Sequence, residues 1–407
     1  MPIADRDKLQ SINLNSPNVT CSRHQRLVVP ASAGSEPSTG GTPTEPAMIS
    51  RRHFLHAAAA GIGAACLPQA GRAAEPAVAQ PLALGLDNFA VRAMNWKAPA
   101  LIEYAAKLQL DTLFITDLFA FDSLADGHLR ELRQMASDAG VALIVGSWSI
   151  CPTSTSFKTD WGSADEHLAL GLRVAAALGS PVFRVILGSR RDRTTEGGID
   201  ARIADTVRVL QAARSRALDL GVKVAVENHA GDMHSTELVR LIDEAGPDYV
   251  GANLDAGNAT WTLEDPLDNL ETLGRYTVST SLRDSAMWES ENGVTIQWTA
   301  LGDGAVDWRK YFARFAQLCP NVAVNIETIS GFNHELPVNK EDYWQAWPKG
   351  KPPKYERFLA LARHGQPRPP HQHPAGVDRQ AAEQQYQRDE LERSIRYCRE
   401  LGLGRKR

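Results

Sequence analysis

Three carboxylates in this chain stand where buried strands would open onto a common pocket. The apolar run Val224–Val226 stops on Glu227 and continues into Asn228 and His229. Gly251–Leu254 stops on Asp255, with Asn258 one turn later, and Val322–Ile326 stops on Glu327. Parallel strands buried on both faces read as continuous apolar runs, and barrels of such strands gather their reacting groups at the C-terminal strand ends. Three crowded carboxylates repel one another and are costly without a cation. Oxygen ligands with one imidazole, His229, suit Mn²⁺, Mg²⁺ or Co²⁺, and Zn²⁺ less well. A cation there would polarise a carbonyl or hydroxyl pair while a carboxylate moved a proton. Two members have simpler structural readings. Asp255 could cap the next turn, and His229 could be a hydrogen-bonded structural imidazole. Glu227 and Glu327 are harder to account for, because an unpaired buried carboxylate is expensive.

Other polar groups fall beside them. Glu227 and His229, two apart, share one face of their strand. Ser281, Arg283 and Asp284 follow another strand-like run. Arg184 and Arg283 are the strand-borne guanidiniums nearest this pocket, and with Asn258 and Trp148 they form the expected substrate-binding set.

The elements that must position these groups alternate. Strand-like runs at 82–86, 112–116, 142–146, 182–187, 223–226, 249–254, 276–282 and 322–326 are separated by amphipathic stretches at 101–108, 129–139, 164–178, 205–220, 236–244, 266–273 and 308–318. Ser163-Ala-Asp-Glu166 is a capping box, Ser235 is placed as an N-cap, and Gly140, Gly179 and Gly221 sit where helices stop. Alternation of this kind means a parallel sheet. Eight units match a (β/α)8 TIM barrel over 81–332. A doubly wound open sheet is less suited, because no Gly-rich phosphate loop follows the first strand. An insertion at 288–299 is placed as a lid or pocket wall. Residues 333–407 form a C-terminal extension, loop-like through 374 with His364, His371 and His373 in a solvated linker, then a polar helix from Arg379 to Leu401.

Two N-terminal segments stand apart. Residues 1–47, rich in Ser, Pro, Thr and Gly, read as disordered or as an extension upstream of a start at Met48. Residues 48–79 read as a twin-arginine signal: Ser50-Arg-Arg-His-Phe-Leu55, a weakly apolar Ala/Gly run, then Ala77-Val-Ala79. This predicts export to the periplasm through the twin-arginine machinery, without stable membrane insertion, since the apolar run is too short to span. A net charge of −4 supplies no basic excess for nucleic acid. Five cysteines without CxxC spacing indicate neither a zinc ribbon nor a disulfide framework. Oligomeric state is open, with a homo-oligomer as one outcome.

The ordered segments VAVENHAG (Val224–Gly231), GANLDAGNA (Gly251–Ala259), TSLRDSAMW (Thr280–Trp288), LGDGAVDW (Leu301–Trp308) and VNIETISGF (Val324–Phe332) resemble the xylose isomerase-like TIM-barrel superfamily of sugar phosphate isomerases and epimerases. The resemblance implies a metal held at Glu227, Asp255, Ser281 and Glu327, with the two glutamates exchanging a proton with substrate. Two positions depart from the family pattern: Ser281 and Asn258 stand where it usually carries histidines, and His229 is the nearest substitute. The implied function is a metal-dependent isomerase or epimerase acting on a sugar, keto-sugar or cyclitol. The alternatives are a lyase or dehydratase on a 3-keto-glycoside or inositol, and a non-catalytic periplasmic carbohydrate-binding barrel.

Overall fold

The computed structural model describes residues 81–404. The signal-like segment and the stretch before it lie outside these residues. Eight parallel strands form the central sheet: β1 (Leu84–Asp87), β2 (Thr112–Ile115), β3 (Ala142–Ser149), β4 (Val182–Ile186), β5 (Lys223–Glu227), β6 (Val250–Leu254), β7 (Thr277–Thr280) and β10 (Val324–Ile326). Their order is β10-β1-β2-β3-β4-β5-β6-β7. The edges meet through a parallel bridge from Leu282 to Ile326, with Leu282 N donating to Asn325 O at 2.8 Å. The result is a TIM barrel, with all eight strands where the apolar runs predict them.

The helices follow from the amphipathic stretches. In α8 (Trp308–Leu318), Trp308, Tyr311, Phe312 and Phe315 recur at helical spacing and are buried. Ser163 and Glu166 form the expected capping box on α3 (Ala164–Leu178), and Gly179 ends that helix at φ 72°. One cap is corrected. The N-cap of α5 (Ser235–Ala245) is His234, whose ring accepts from Thr236 N. Ser235 is the first helical residue and gives its hydroxyl to Glu264. Helix α4 (Gly198–Leu220) begins earlier than the expected 205.

The C-terminal third departs from expectation. The insertion after β7 is a hairpin of β8 (Asp284–Ser290) and β9 (Gly293–Thr299), to which β11 (Asn333–Leu336) adds an antiparallel strand. Residues 333–374 are therefore not all loop: they contain β11 and α9 (Tyr355–Arg363). This small sheet has its own core, in which Trp261, Met287, Trp298, Leu336, Tyr343, Trp347 and Phe358 pack together. Helix α10 (Arg379–Glu400) lies where the polar helix was placed, and its Gln387 accepts from Ala93 N at 2.9 Å. Among the described residues no helix is long and apolar enough to cross a membrane.

Candidate active site

The strand ends bring Glu227, Asp255 and Glu327 together. One carboxylate oxygen from each lies within 4.8 Å of the others, and all three residues are buried. Asp255 fills both roles open to it. Its Oδ1 caps the short helix α6 (Ala256–Trp261), accepting from Gly257 N at 2.8 Å and Asn258 N at 3.1 Å. Its Oδ2 faces the cluster and accepts from Asn258 Nδ2 at 2.7 Å.

Two guanidiniums complete the cluster. Arg184 on β4 donates from Nε to Glu227 Oε2 at 2.5 Å and from Nη1 to Ser147 O at 2.8 Å. Arg283 bridges Asp255 Oδ2 and Glu327 Oε2 through Nη2. The stem of Arg283 passes over Gly257, where a Cβ would stand 2.2 Å from Arg283 Cγ. Its guanidinium lies 4.4 Å from the ring centre of Trp298, on the inserted hairpin.

The remaining expected residues sort as follows. Asn258 donates from Nδ2 to Glu227 Oε1 at 3.1 Å and accepts from Ala230 N at 3.1 Å, so its amide is committed to the protein. Ser281 gives its hydroxyl to Asp87 at 2.9 Å and accepts from Asn253 Nδ2 at 3.1 Å, so its oxygen is committed to these two residues. His229 also stands outside the trio. Its Nδ1 pairs with Gly188 O at 2.8 Å, its ring packs edge-on against Trp148 at 5.5 Å, and burial pushes its pKa down to about 4. The half-buried Trp148 is fixed by its Nε1 bond to Ser156 O at 2.7 Å. Asn228 clasps the ends of β5 and β6, bonding both N and O of Asp255. Asp284 organises the loop Leu301–Trp308 by accepting from Gly302 N, Gly304 N and Trp308 Nε1.

Three site residues escaped the sequence reading. Asp87 ends β1 as Glu227 ends β5, and the same signal, an apolar run stopping on a carboxylate, marks it. Asn253 interrupts the apolar run of β6 and donates to Glu227 Oε2 at 3.0 Å. Trp298 belongs to the hairpin, and only the folded chain shows that it covers Arg283.

The electrostatics separate the carboxyls. Burial alone would raise Glu227, but Arg184, His229 and Arg283 outweigh it and hold Glu227 below the usual carboxylate range. Burial pushes Glu327 well above that range, helped by Asp87, Glu227 and Asp255 and only partly opposed by Arg283. Burial likewise raises Asp87 to about 6, Asp255 to about 7, Asp284 to about 6 and Asp232 to about 8.

The raised acids set the expected sign of the pH dependence. Against them runs the opposite and smaller contribution of His167, His229 and His334, whose pKa values burial pushes down to about 4. An acid whose folded pKa is raised contributes stability that is full below its unfolded pKa, about 4, and is lost as pH rises through the folded value. Glu227 runs the other way, and its contribution is lost in acid. Thermal melts should therefore show a higher Tm near pH 5 than near pH 8.5, with Asp232→Asn shrinking the difference. A Tm that climbs toward the alkaline end would contradict the assignment.

Whether a divalent ion fits depends on the oxygens facing the cluster. Each already accepts N–H donors: Arg184 and Asn253 on Glu227 Oε2, Asn258 on Glu227 Oε1, Asn258 and Arg283 on Asp255 Oδ2, and Arg283 on Glu327 Oε2. The carboxylates meet as the sequence predicts, but the cation between two of them is a guanidinium. A divalent ion among the three carboxylates would have to displace that guanidinium.

Similarity to known proteins agrees with the fold. The chain is 26% identical over 277 residues to 3-oxo-isoapionate decarboxylase of Pectobacterium atrosepticum, covering 65% of this chain and 88% of the relative. An L-ribulose 3-epimerase structure superimposes with a TM-score of 0.51 at 14% identity, covering 78% of this chain and 96% of the other. A D-psicose 3-epimerase structure gives a TM-score of 0.49 at 16% identity, covering 77% and 98%. The family described as xylose isomerase-like TIM barrel matches residues 102–346, and the chain belongs to it.

Proposed function

We propose that this protein is an isomerase or epimerase that moves a proton at a carbon beside a carbonyl in a sugar, keto-sugar or cyclitol. The observation that carries this reading is that Glu227 and Glu327 meet in one buried carboxylate cluster. Their pKa values are pushed in opposite directions, Glu227 down by Arg184 and Glu327 up by burial. Pairs of titratable groups pushed apart in this way are suited to act as base and acid. Glu227 takes the proton from carbon, and the electrons of the C–H bond move onto the carbonyl oxygen as an enediolate forms. Glu327 returns a proton to the same carbon on the other face for epimerisation, or, after the adjacent hydroxyl proton has passed to the former carbonyl oxygen, to the former carbonyl carbon for isomerisation. The buried positive charge of Arg184 and Arg283 favours the enediolate.

A second reading is a lyase, in which the enolate forms by loss of carbon dioxide from a 3-oxo acid instead of loss of a proton. The decarboxylase relative supports it, since its similarity runs over 88% of that protein's length. Two buried guanidiniums also suit an anionic substrate.

A substrate panel separates the readings. Keto-sugars, keto-inositols and 3-oxo sugar acids are incubated with the enzyme, and products are identified by NMR alongside carbon dioxide release. An epimer or isomer of the same mass is the expected result. Carbon dioxide release without an isomeric product would overturn it in favour of the lyase. Binding without any product would favour the carbohydrate-binding protein. The periplasmic address expected from the twin-arginine segment is part of this proposal and favours unphosphorylated substrates.

A further inference from the structure

We infer that Arg283 is the resident cation of this site, occupying the place among Glu227, Asp255 and Glu327 that a divalent metal would need. The inference deepens the proton-transfer reading above and rests on it only for its catalytic meaning. Four observations carry it. First, Arg283 Nη2 bonds Asp255 and Glu327 at once, and the residue is 2% exposed.

Second, the amides beside it aim donors, not lone pairs, at the carboxylates. Asn258 Oδ1 accepts from Ala230 N, which fixes the amide so that Nδ2 points at Glu227 and Asp255. Asn253 Oδ1 accepts from Ser279 Oγ at 2.6 Å, which fixes its Nδ2 on Glu227 and Ser281. A metal shell needs oxygen or imidazole lone pairs turned inward. Here two amide NH₂ groups take that place.

Third, the guanidinium is clamped. Trp298 covers it from the hairpin, with Nε1 tied to Gly257 O at 3.1 Å. Trp298 stacks on Trp261 at 4.3 Å, and Trp261 stacks on His334 of β11 at 3.9 Å. On the other side, Gly257 has no side chain to obstruct the stem, so the pocket for Arg283 is built from two elements.

Fourth, Asp87, Glu227, Asp255 and Glu327 bring four negative charges when ionised, and Arg184 and Arg283, both buried among them, already offset two of these. The inserted hairpin is thus a device that seats an internal cation. Arg283 Nε, itself buried, has no hydrogen-bond partner among the described residues.

The test measures metal, not turnover. Full-length protein purified without chelator is analysed for bound metal and melted with EDTA, then with added Mn²⁺. Wild type is expected to hold far less than one equivalent and to melt unchanged in both. Arg283→Ala vacates the position and should acquire Mn²⁺-dependent stabilisation of a few degrees. One equivalent of metal in wild type, or a Tm lowered by EDTA, would overturn the inference. So would a folded, metal-free Arg283→Ala that ignores Mn²⁺. If Arg283→Ala does not fold, the wild-type metal content and EDTA melt decide alone. Failure of the substrate panel leaves this result untouched, so the two readings fail separately.

Discussion

Glu327→Gln is expected to lower turnover by about 10²–10⁴-fold, the range for loss of one positioned acid–base group. It should leave substrate affinity within a few-fold, because the amide keeps the shape of the side chain. The pH profile should change as well. In wild type, activity should fall on the alkaline side as Glu327, whose pKa burial raises, loses its proton. Gln has no such proton to lose, so the alkaline limb should disappear from the residual activity. Steady-state rates across pH measure both effects. Unchanged turnover, or an alkaline limb retained in the variant, would remove Glu327 from the proton path.

Arg184→Met should act on the other limb. Arg184 is the nearest positive charge to Glu227 and the leading force holding it ionised against burial. An adjacent opposite charge lowers a carboxyl by about 1–3 pH units, so its loss should move the acid limb of the rate profile up by about that much. Stability should drop by about 3–5 kcal/mol, the usual consequence of removing one partner of a buried ion pair. Arg184→Lys should restore part of both, since charge returns without the Nε geometry. An acid limb that stays in place in a folded Arg184→Met would mean that Glu227 is not the base.

The barrel was legible because its signals are local. Each strand is an apolar run of a few residues, and each crossover carries a helical stripe with stops such as Gly179 and Gly221. The carboxylates at 227, 255 and 327 were legible for the same reason, since Glu227 closes β5 and Asp255 and Glu327 directly follow β6 and β10, at the strand ends that a barrel brings together. What the cluster holds was not. Arg283 reads from sequence as one polar residue after a strand. Its insertion between Asp255 and Glu327 depends on Gly257 from α6 and Trp298 from β9, which sequence alone does not bring together. The hairpin itself carried a signal in Asn292-Gly293, which falls at its turn: the loop is Glu291-Asn292, and Gly293 opens β9. Which way the side chains of Ser281 and Asn258 turn is set by Asp87 and Ala230. Neither partner is adjacent in sequence.

In the proposed reaction, Glu227, whose pKa buried guanidiniums hold down, and Glu327, whose pKa burial raises, exchange a proton with carbon. Solvent-deuterium incorporation tests it most directly. Wild-type enzyme is incubated in deuterium oxide with each keto-sugar or keto-inositol that it binds, and the carbon beside the carbonyl is followed by proton NMR. Deuterium should enter that position with wild type, and Glu227→Gln should abolish the exchange. A bound ligand that never exchanges this proton, or exchange undiminished in Glu227→Gln, would contradict the account.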